Sequence, residues 1–337
     1  MPANPPSDHP SVEHGRVGVL LINLGTPDAP DASAVRRYLA EFLSDPRVIE
    51  IPAIAWKPIL HGIILRTRPA KSAHAYRQVW TNLGSPLAAI TRRQTQALRQ
   101  RLGDEVRIEF AMRYGNPAIA VTIEQMIAGG CDRILVAPLY PQYCAATTAT
   151  AQDSVFAAVA RLRREPSLRT LPPYHDDPLY IDALKQSLEQ QLEALDFEPQ
   201  RLLLSFHGMP QRTLELGDPY HCHCQKTARL LGEQLSIPTD IAFQSRFGRA
   251  KWLEPATDTF LASYPGQDVK RIAIAAPGFS ADCVETLEEL AIRGRDTFIE
   301  AGGERMAVLE CLNDSAEGMH MLEGLVRREL AGWLPRE

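Results

Sequence analysis

The sequence of 337 residues contains no long hydrophobic run. Its apolar stretches are shorter than the roughly 18 residues that a membrane-spanning helix needs, and the polar, proline-rich start at 1–16 lacks the apolar stretch of a signal peptide. The 36 Lys and Arg residues are outnumbered by 41 Asp and Glu, so there is no basic surplus for binding nucleic acid. We therefore expect a cytoplasmic protein with no nucleic-acid partner.

Cysteine is also scarce, and several common functional motifs are missing. Six scattered cysteines in a chain of this length do not make a disulfide scaffold, so reduced thiols are expected. The first predicted strand ends in LGTP at 24–27, with one glycine where a dinucleotide-binding or P-loop motif needs several. No G-x-S-x-G element is present. These absences argue against nucleotide dehydrogenases, phosphotransferases and serine hydrolases.

Six short β-branched runs are apolar throughout and end near Gly or Pro. Such runs, separated by helix-compatible segments, are typical of buried parallel strands in an α/β fold. The predicted strands are 16–27, 105–117, 133–143, 201–210, 239–248 and 270–280. The predicted helices are 33–43, 87–102, 118–128, 147–162, 179–195, 220–235, 284–301 and 317–334.

The two sets of three strands repeat one plan. The strings RYG at 113–115 and RFG at 246–248 occupy equivalent places in the middle strand of each set. This duplication predicts an α/β fold of two Rossmann-like lobes, each a parallel β-sheet flanked by helices. We expect the first lobe to span 1–172 and the second 173–308, with 309–337 forming a terminal helix that packs back on the first lobe.

His207 is a candidate functional residue because ligands of parallel sheets bind beyond the carboxyl ends of the strands. It follows the apolar run 202–206 and precedes Gly208, which adds little bulk beside the imidazole. Histidine suits proton transfer near neutral pH, but it also makes ordinary hydrogen bonds in loops. Its position alone leaves both roles open.

A second polar cluster follows the last predicted strand. Glu285 and Glu289 are four residues apart in a predicted helix, so both carboxylates lie on one face, where they suit proton transfer or binding of a hard cation. A structural alternative is a capping box, with Asp282 as N-cap and Glu285 at the third helical position. The sequence leaves both interpretations open.

Two further segments have unusual composition. The string HCHC at 221–224 is rich in metal-ligand residue types, but it lacks the ligand spacing of zinc or iron–sulfur sites, and we interpret it as the start of a surface helix. Segment 51–65, IPAIAWKPILHGIIL, is apolar and is followed by three basic residues. It forms either part of the hydrophobic core or an apolar lip over a hydrophobic ligand or a lipid surface.

Taken together, these strings resemble those of the ferrochelatases, the enzymes that insert ferrous iron into a porphyrin to make haem. The likeness covers nearly the whole chain and looks closest to the proteobacterial branch. It is carried by LLINLGTP, YLAEFLSDPRVIEIP, GSPL, RYGNP, APLYPQY, LSFHGMP followed by GDPY, FQSRFGRAKWLEP and PGFSADCVETLEEL. The resemblance implies two Rossmann-like lobes with the porphyrin in the cleft between them.

The resemblance also implies roles for single residues. His207, in S-x-H-x-x-P, and Glu285, in D-x-x-E-T-L, match the essential histidine and glutamate of the family, which are expected to handle iron and protons. Glu289 matches a second catalytic acid one turn further on. The residues expected to contact the porphyrin are Arg113, Tyr114, Tyr76 and Ser85. Segment 51–65 matches the family's lip, where peripheral contact with membrane lipid is expected.

Two features depart from many members of the family. Cys283 stands where many have a histidine just before the essential glutamate, so any accessory role of that histidine is absent or altered. No cysteine cluster follows Cys311, and the residues after APLYPQY supply no cluster cysteine. We therefore expect no [2Fe–2S] cluster and no permanently bound cofactor, with ferrous iron as a substrate.

The resemblance supports a mechanism in which the two lobes bend the macrocycle and His207 accepts a pyrrole proton. Glu285 either delivers iron or carries protons away along Glu289. A weak pair of one nitrogen and one oxygen ligand predicts that zinc or cobalt is also accepted in vitro. The alternatives are a cobalt chelatase for a carboxylate-rich tetrapyrrole and a binding protein without catalysis. The branch favours protoporphyrin IX over coproporphyrin III, although the residues do not separate the two.

Overall fold

Two four-stranded parallel sheets form the centre of the computed structural model, which describes residues 15–248 and 250–334. The strands are β1 (Arg16–Thr26), β2 (Val106–Gly115), β3 (Cys131–Pro138), β4 (Ser167–Thr170), β5 (Arg201–His207), β6 (Thr239–Gln244), β7 (Arg271–Ala275) and β8 (Arg305–Val308). All six predicted strands are present, and several end earlier than predicted. The short strands β4 and β8 are additional, and each lies at the edge of its sheet.

Helices pack against both faces of the sheets. They are α1 (Ala32–Phe42), α2 (Ala53–Ile59), α3 (Leu65–Val79), α4 (Pro86–Leu102), α5 (Ile119–Ala128), α6 (Thr150–Val159), α7 (Pro178–Glu193), α8 (Gln211–Glu215), α9 (Tyr220–Gly232), α10 (Thr257–Ser263), α11 (Arg295–Glu300) and α12 (Ala316–Glu329). Three segments are π-helical, namely Leu60–Ile64, Ala145–Ala149 and Glu285–Gly294. Within the described residues, no helix is both long and apolar enough to cross a bilayer.

Side chains at the helix starts explain where several helices begin. The carboxylate of Asp31 accepts hydrogen bonds from the N–H groups of Ser33 and Ala34 at the start of α1. Asp177 caps α7 in the same way, and Pro178 occupies the first helical position, where its missing N–H costs nothing. These caps satisfy N–H groups that have no partner inside the helix.

The two sheets have the same topology, which confirms the predicted two-lobed α/β fold. The strand orders are β2-β1-β3-β4 and β6-β5-β7-β8, with every pair parallel. The loops that follow β2 and β6 are also equivalent. The N–H of Met112 donates to the carbonyl of Pro117 at 2.8 Å, and the N–H of Phe243 donates to that of Pro255 at 2.8 Å. The repeat seen in the sequence is therefore a structural repeat.

Alternate residues of the central strands pack into different cores, since successive side chains point to opposite faces of a sheet. Leu21 of β1 belongs to a core shared by both lobes, whereas Leu20 packs into a core on the outer side of the first lobe. Leu202 and Leu203 of β5 divide in the same way. Both faces of these two strands are buried, which explains why they are apolar throughout.

The last helix returns to the first lobe. α12 packs against α4 and α7 and also contacts β3. Arg101 of α4 pairs with Glu323 of α12 at 3.1 Å. Arg133 of β3 donates to the carbonyl groups of Gly15 and Trp333, at 3.2 and 2.9 Å. The chain therefore passes between the lobes twice, once at 171–177 and once before α12. The lobe boundaries at 172 and 308 stay a prediction.

Candidate active site

A cavity of about 600 Å³ lies between the carboxyl ends of the two sheets. This is where ligands bind in parallel sheets, and the volume falls within the roughly 300–1,000 Å³ of small-molecule sites. Most of the lining is apolar or aromatic. The aromatic lining residues are Tyr38, Phe42, Trp56, Tyr76, Tyr140, Tyr220, Phe247, Trp252 and Phe279. Such a lining suits a large, flat, apolar ligand.

His207 is the last residue of β5 and lines this cavity. Its Nδ1 lies 2.7 Å from the carbonyl oxygen of Gly208. A carbonyl oxygen only accepts hydrogen bonds, so Nδ1 carries the proton and Nε2 is the basic nitrogen of the neutral ring. The hydroxyl of Tyr220 donates to the His207 carbonyl at 2.9 Å, which fixes the backbone at this point. The imidazole is thus held in the tautomer that accepts a proton at Nε2.

Glu285 begins the π-helix Glu285–Gly294 and lines the same cavity. Because β7 pairs directly with β5, the chain that follows β7 reaches the sheet edge where His207 lies. Gln244, at the end of β6, donates from Nε2 to the Glu285 carbonyl at 3.0 Å and holds the first turn of the π-helix. The structure therefore places His207 and Glu285 on the wall formed by the second lobe.

The capping-box interpretation of Glu285 is wrong. The π-helix begins after Val284 without a side-chain cap. The carboxylate of Asp282 accepts instead from the Thr286 hydroxyl at 2.7 Å and from Asn313 Nδ2 at 2.6 Å. Asp282 therefore joins the start of the π-helix to the segment before α12, and the Glu285 carboxylate has no capping role.

Protonated groups surround the Glu285 carboxylate. Burial raises the pKa of the phenols of Tyr38 and Tyr76 well above its usual range, and the negative charge of Glu285 raises both further. Burial and then Glu285 likewise raise the pKa of the Cys283 thiol. All three groups stay protonated at neutral pH. Cys283 is therefore a neutral thiol next to the start of the π-helix.

Glu289 lies outside the cavity lining. Its carboxylate oxygens accept hydrogen bonds from the N–H and the hydroxyl of Ser245, at 2.7 and 2.6 Å. The guanidinium of Arg293 lies 3.8 Å from Oε2. The structure thus separates Glu289 from the cavity that His207 and Glu285 line.

Arg113 and Tyr114 do not line the cavity, and their expected contact with the substrate stays a prediction. Both turn to the buried carboxylate of Asp45, which also accepts a hydrogen bond from Thr150. Burial alone would raise the pKa of Asp45, but these hydrogen bonds, that of Thr150 first, and the Arg113 charge hold it below its usual range. The Tyr114 ring meets Phe42 edge-on at 5.1 Å and supports the cavity wall from behind.

Tyr76 and Ser85 do line the cavity, Tyr76 from α3 and Ser85 from the residue before α4. Their contact with substrate stays a prediction. Segment 51–65 forms α2 and the π-helical turn after it, at the cavity mouth. Ile64 faces the cavity, whereas Ile54 and Ile63 are 88% and 58% exposed. The segment is thus a lip with one face on the cavity and one open to solvent.

The opposite rim of the mouth was not identified from the sequence as part of the site. Phe247, Gly248, Ala250 and Trp252 line the cavity, and Trp252 Nε1 donates to the Phe247 carbonyl at 2.9 Å. Arg68 from α3, three residues after the lip, lies over the Phe247 ring at 5.3 Å, so the rim contacts the start of α3. The repeated RFG string marks this loop in the sequence, but a repeat alone does not indicate a ligand.

The HCHC string at 221–224 forms the first turn of α9. The His223 ring stacks on that of His175, with centroids 3.6 Å apart and planes at 6°. Burial, and then His223, lower the pKa of His175 to about 4, and burial also lowers that of His223. In the described part of the chain, no three or more His, Cys, Asp or Glu side chains are grouped so as to hold a metal ion.

Comparisons with known proteins agree with this geometry. The family model described as ferrochelatase matches residues 16–330. The chain is 52% identical to the ferrochelatase of Rhizobium meliloti (strain 1021), over 97% of this chain and 99% of that protein. It is 52% identical to the ferrochelatase of Methylibium petroleiphilum, over 96% of this chain and 92% of that protein.

Solved structures share the fold at low identity. SirB from Bacillus subtilis with Fe3+ matches with a TM-score of 0.56 and 13% identity, over 94% of this chain and 96% of that one. CbiX, a terminal enzyme of sirohaem biosynthesis in denitrifying bacteria, matches with a TM-score of 0.51 and 14% identity, over 94% and 100% of the two chains. From its sequence, its two-lobed fold and the cavity between the lobes, the chain belongs to the ferrochelatase family.

Proposed function

We propose that this protein inserts ferrous iron into protoporphyrin IX, forming protohaem and releasing two protons. The observation that carries the proposal is the joint exposure of His207 and Glu285 to a largely apolar cavity between two lobes. The cavity suits the faces of a flat macrocycle, and the two polar groups suit the chemistry at its centre. Family membership supports the same reaction.

The chemistry needs a base and a route for a divalent cation. A free-base porphyrin carries two pyrrole N–H groups, and both protons must leave as the four nitrogens bind iron. Nε2 of His207 is the basic nitrogen and accepts a proton in this proposal. The Glu285 carboxylate offers a hard oxygen that holds the incoming iron weakly or takes the second proton. The two lobes supply the surfaces that bend the ring.

Arg68 is the lining residue best placed to anchor a propionate of the porphyrin. Two other arginines of the described lining already have carboxylate partners, since Arg47 bonds to Asp153 at 2.6 Å and Arg212 approaches Glu50 at 4.0 Å. Arg68 instead lies over the ring of Phe247 at the mouth. A guanidinium so placed can bind a carboxylate without losing an ion pair.

The test is anaerobic loss of protoporphyrin IX fluorescence on addition of ferrous iron, with His207→Ala and Glu285→Ala beside the unchanged protein. We expect both variants to bind the porphyrin and to metallate it at least about a hundredfold more slowly, as for loss of a proton-transfer group. His320→Ala, on the exposed face of α12, is the matched control.

The same assay distinguishes the proposed reaction from its alternatives. If the unchanged protein metallated coproporphyrin III but not protoporphyrin IX, the substrate would be coproporphyrin III. Binding of both porphyrins without metallation would overturn the enzyme in favour of a binding protein. Turnover by His207→Ala at the unchanged rate would remove the proposed base.

We further propose that the protein works in the cytoplasm in peripheral contact with membrane lipid through segment 51–65. The exposed side chains of Ile54 and Ile63 lie in a segment that contains Lys57 and is followed by Arg66, a combination that suits an anionic lipid surface. Flotation with phosphatidylcholine vesicles, with and without phosphatidylglycerol, tests this. Ile54→Glu with Ile63→Glu should abolish co-flotation, and equal flotation of both proteins would contradict the proposal.

A further inference from the structure

Glu289 is well connected to the cavity wall although it does not line the cavity. Both of its oxygens are engaged by one residue, Ser245, through the N–H at 2.7 Å and the hydroxyl at 2.6 Å. Hydrogen bonds to a charged carboxylate at such distances are among the stronger ones in proteins. The two donors fix the orientation of the Glu289 carboxylate.

Ser245 needs this support because its backbone is in the left-handed region, with φ of 64°. Residues with a side chain rarely adopt this conformation, since Cβ then crowds the backbone. The turn redirects the chain as it leaves β6. The residues that follow form the rim opposite the lip and include Phe247 and Trp252. The conformation of one serine therefore sets the course of a whole cavity wall.

A second contact connects the same two elements. Gln244, next to Ser245, donates to the Glu285 carbonyl, so adjacent residues of the strand end hold the first and fifth residues of the π-helix. Arg293 pairs with Glu288 at 2.9 Å and lies 3.8 Å from Glu289, which keeps a positive charge next to these acids. This environment favours a fixed carboxylate over one that binds cations in transit.

We infer that Glu289 is a positioning residue, which holds Ser245 in its left-handed turn and so sets the rim residues Phe247 and Trp252 against the porphyrin. This rests on the proposed function. It assigns Glu289 to porphyrin binding rather than to iron or proton transfer, the role that the family resemblance implies for it.

The experiment compares Glu289→Ala with Glu289→Gln. The glutamine keeps an acceptor for the Ser245 N–H, and its NH₂ group can donate to the hydroxyl, so the turn survives although the charge is lost. We expect Glu289→Ala to raise the KM and Kd for protoporphyrin IX about tenfold, with the KM for ferrous iron unchanged. Glu289→Gln should stay within about threefold of the unchanged protein in every constant. Glu300→Gln, on the exposed side of α11, is the matched control.

A double-mutant cycle with Ser245→Ala isolates the contact. If Glu289 acts through Ser245, Ser245→Ala should weaken porphyrin binding much less in the Glu289→Ala background than in the unchanged protein. Full additivity would overturn the inference. It would also be overturned if Glu289→Gln lost metallation as severely as Glu289→Ala while its porphyrin Kd stayed unchanged. That pattern would show that the carboxylate transfers iron or protons.

Porphyrin Kd from fluorescence quenching is read without turnover, and thermal unfolding checks that each variant is folded. If the unchanged protein binds porphyrin but does not metallate it, the proposed function fails, yet the Kd values still decide the role of Glu289.

Discussion

At the residue scale, the identity of the base depends on a single hydrogen bond. Nδ1 of His207 is committed to the carbonyl of Gly208, so Nε2 is the nitrogen left for the substrate. Gly208 also allows the ends of β5 and β6 to approach closely. Its N–H donates to the Gln244 carbonyl at 2.7 Å, and a Cβ at this position would lie 2.5 Å from that same oxygen. The sequence suggested only that a small residue gives the imidazole room.

Gly208→Ala should therefore damage both stability and catalysis. The new Cβ would clash with the Gln244 carbonyl oxygen and force the end of β5 away from β6. We expect this to lower the free energy of unfolding by about 1–3 kcal/mol. The same shift moves His207, and metallation should slow at least about tenfold, since small misplacements of reacting groups are costly. Urea unfolding and the metallation assay measure the two effects.

Gly266→Ala is the control, because a Cβ there meets nothing within 4 Å. If Gly208→Ala behaved like this control in both assays, the close approach at 208 would not be what orders the site.

The residues of the site were predictable to different degrees. His207 could be recognised from its place at a strand end, and Glu285 from its acidic neighbours in the helix that follows β7. The surroundings of Arg113 could not be predicted, since its partner Asp45 is 68 residues away and the pairing depends on how α1 packs beside β2. Glu289 kept its predicted place on the helix, but its contact with Ser245 requires the course of a distant loop.

At the scale of elements, Asp45 joins three of them. It lies after α1 and accepts hydrogen bonds from Arg113 and Tyr114 of β2 and from Thr150 at the start of α6. The side chain is only 4% exposed, so its charge depends on these partners rather than on water. Removing the charge leaves the mostly buried guanidinium of Arg113 without its counterion.

Asp45→Asn should destabilise the protein by about 3–5 kcal/mol, the usual result of breaking one half of a buried ion pair. The control, Asp153→Asn, removes a carboxylate that is 52% exposed and bonded to Arg47 at 2.6 Å. Exposed pairs of this kind contribute about 1 kcal/mol or less. Chemical denaturation of the two variants gives the comparison, and equal destabilisation would show that the Asp45 network is not a structural link.

The elements that sequence reasoning missed share physical causes. β4 and β8 have four residues each at sheet edges and are only partly buried, so they lack a long apolar run. The π-helical segments were predicted as helix or not at all, because a widened turn leaves no distinct hydrophobic period. α3 carries many exposed polar residues, and its short apolar stripe did not indicate a helix.

At the scale of the whole molecule, the contact between the lobes includes His223, whose ring stacks on that of His175 in the connection 171–177. The charged or titratable groups around the pair are Asp176, Lys226 and Asp218, the last two on or just before α9. Tyr143 from the first lobe donates its N–H to His223 Nδ1 at 3.2 Å, so this acceptor is lost when that nitrogen is protonated. The contact is thus built for two neutral rings.

Stability should therefore fall as the pH falls from about 6.5 to about 4. In this window an unfolded histidine binds a proton, with a pKa near 6.5, whereas the folded His175 stays neutral down to about 4. Protons then favour the unfolded chain, by up to about 3 kcal/mol for one such group. The measurement is the free energy of unfolding by urea at several pH values.

His175→Phe keeps a flat ring at this place without the titration. It should reduce the dependence on pH across this window, and a slope equal to that of the unchanged protein would place the titrating group elsewhere.

The shared hydrophobic core behind the cavity limits the routes by which porphyrin can enter and haem can leave. Side chains of β1, β5, α7 and α12 belong to one continuous core, and the chain crosses between the lobes at two places. Pulling the lobes apart would expose that core to water at about 25 cal/mol for each Å² of apolar surface. We therefore expect porphyrin to enter and haem to leave at the mouth, through small movements of the lip 51–65 and of the opposite rim, which includes Phe247 and Trp252. The rate of haem release should then depend on these two surface segments.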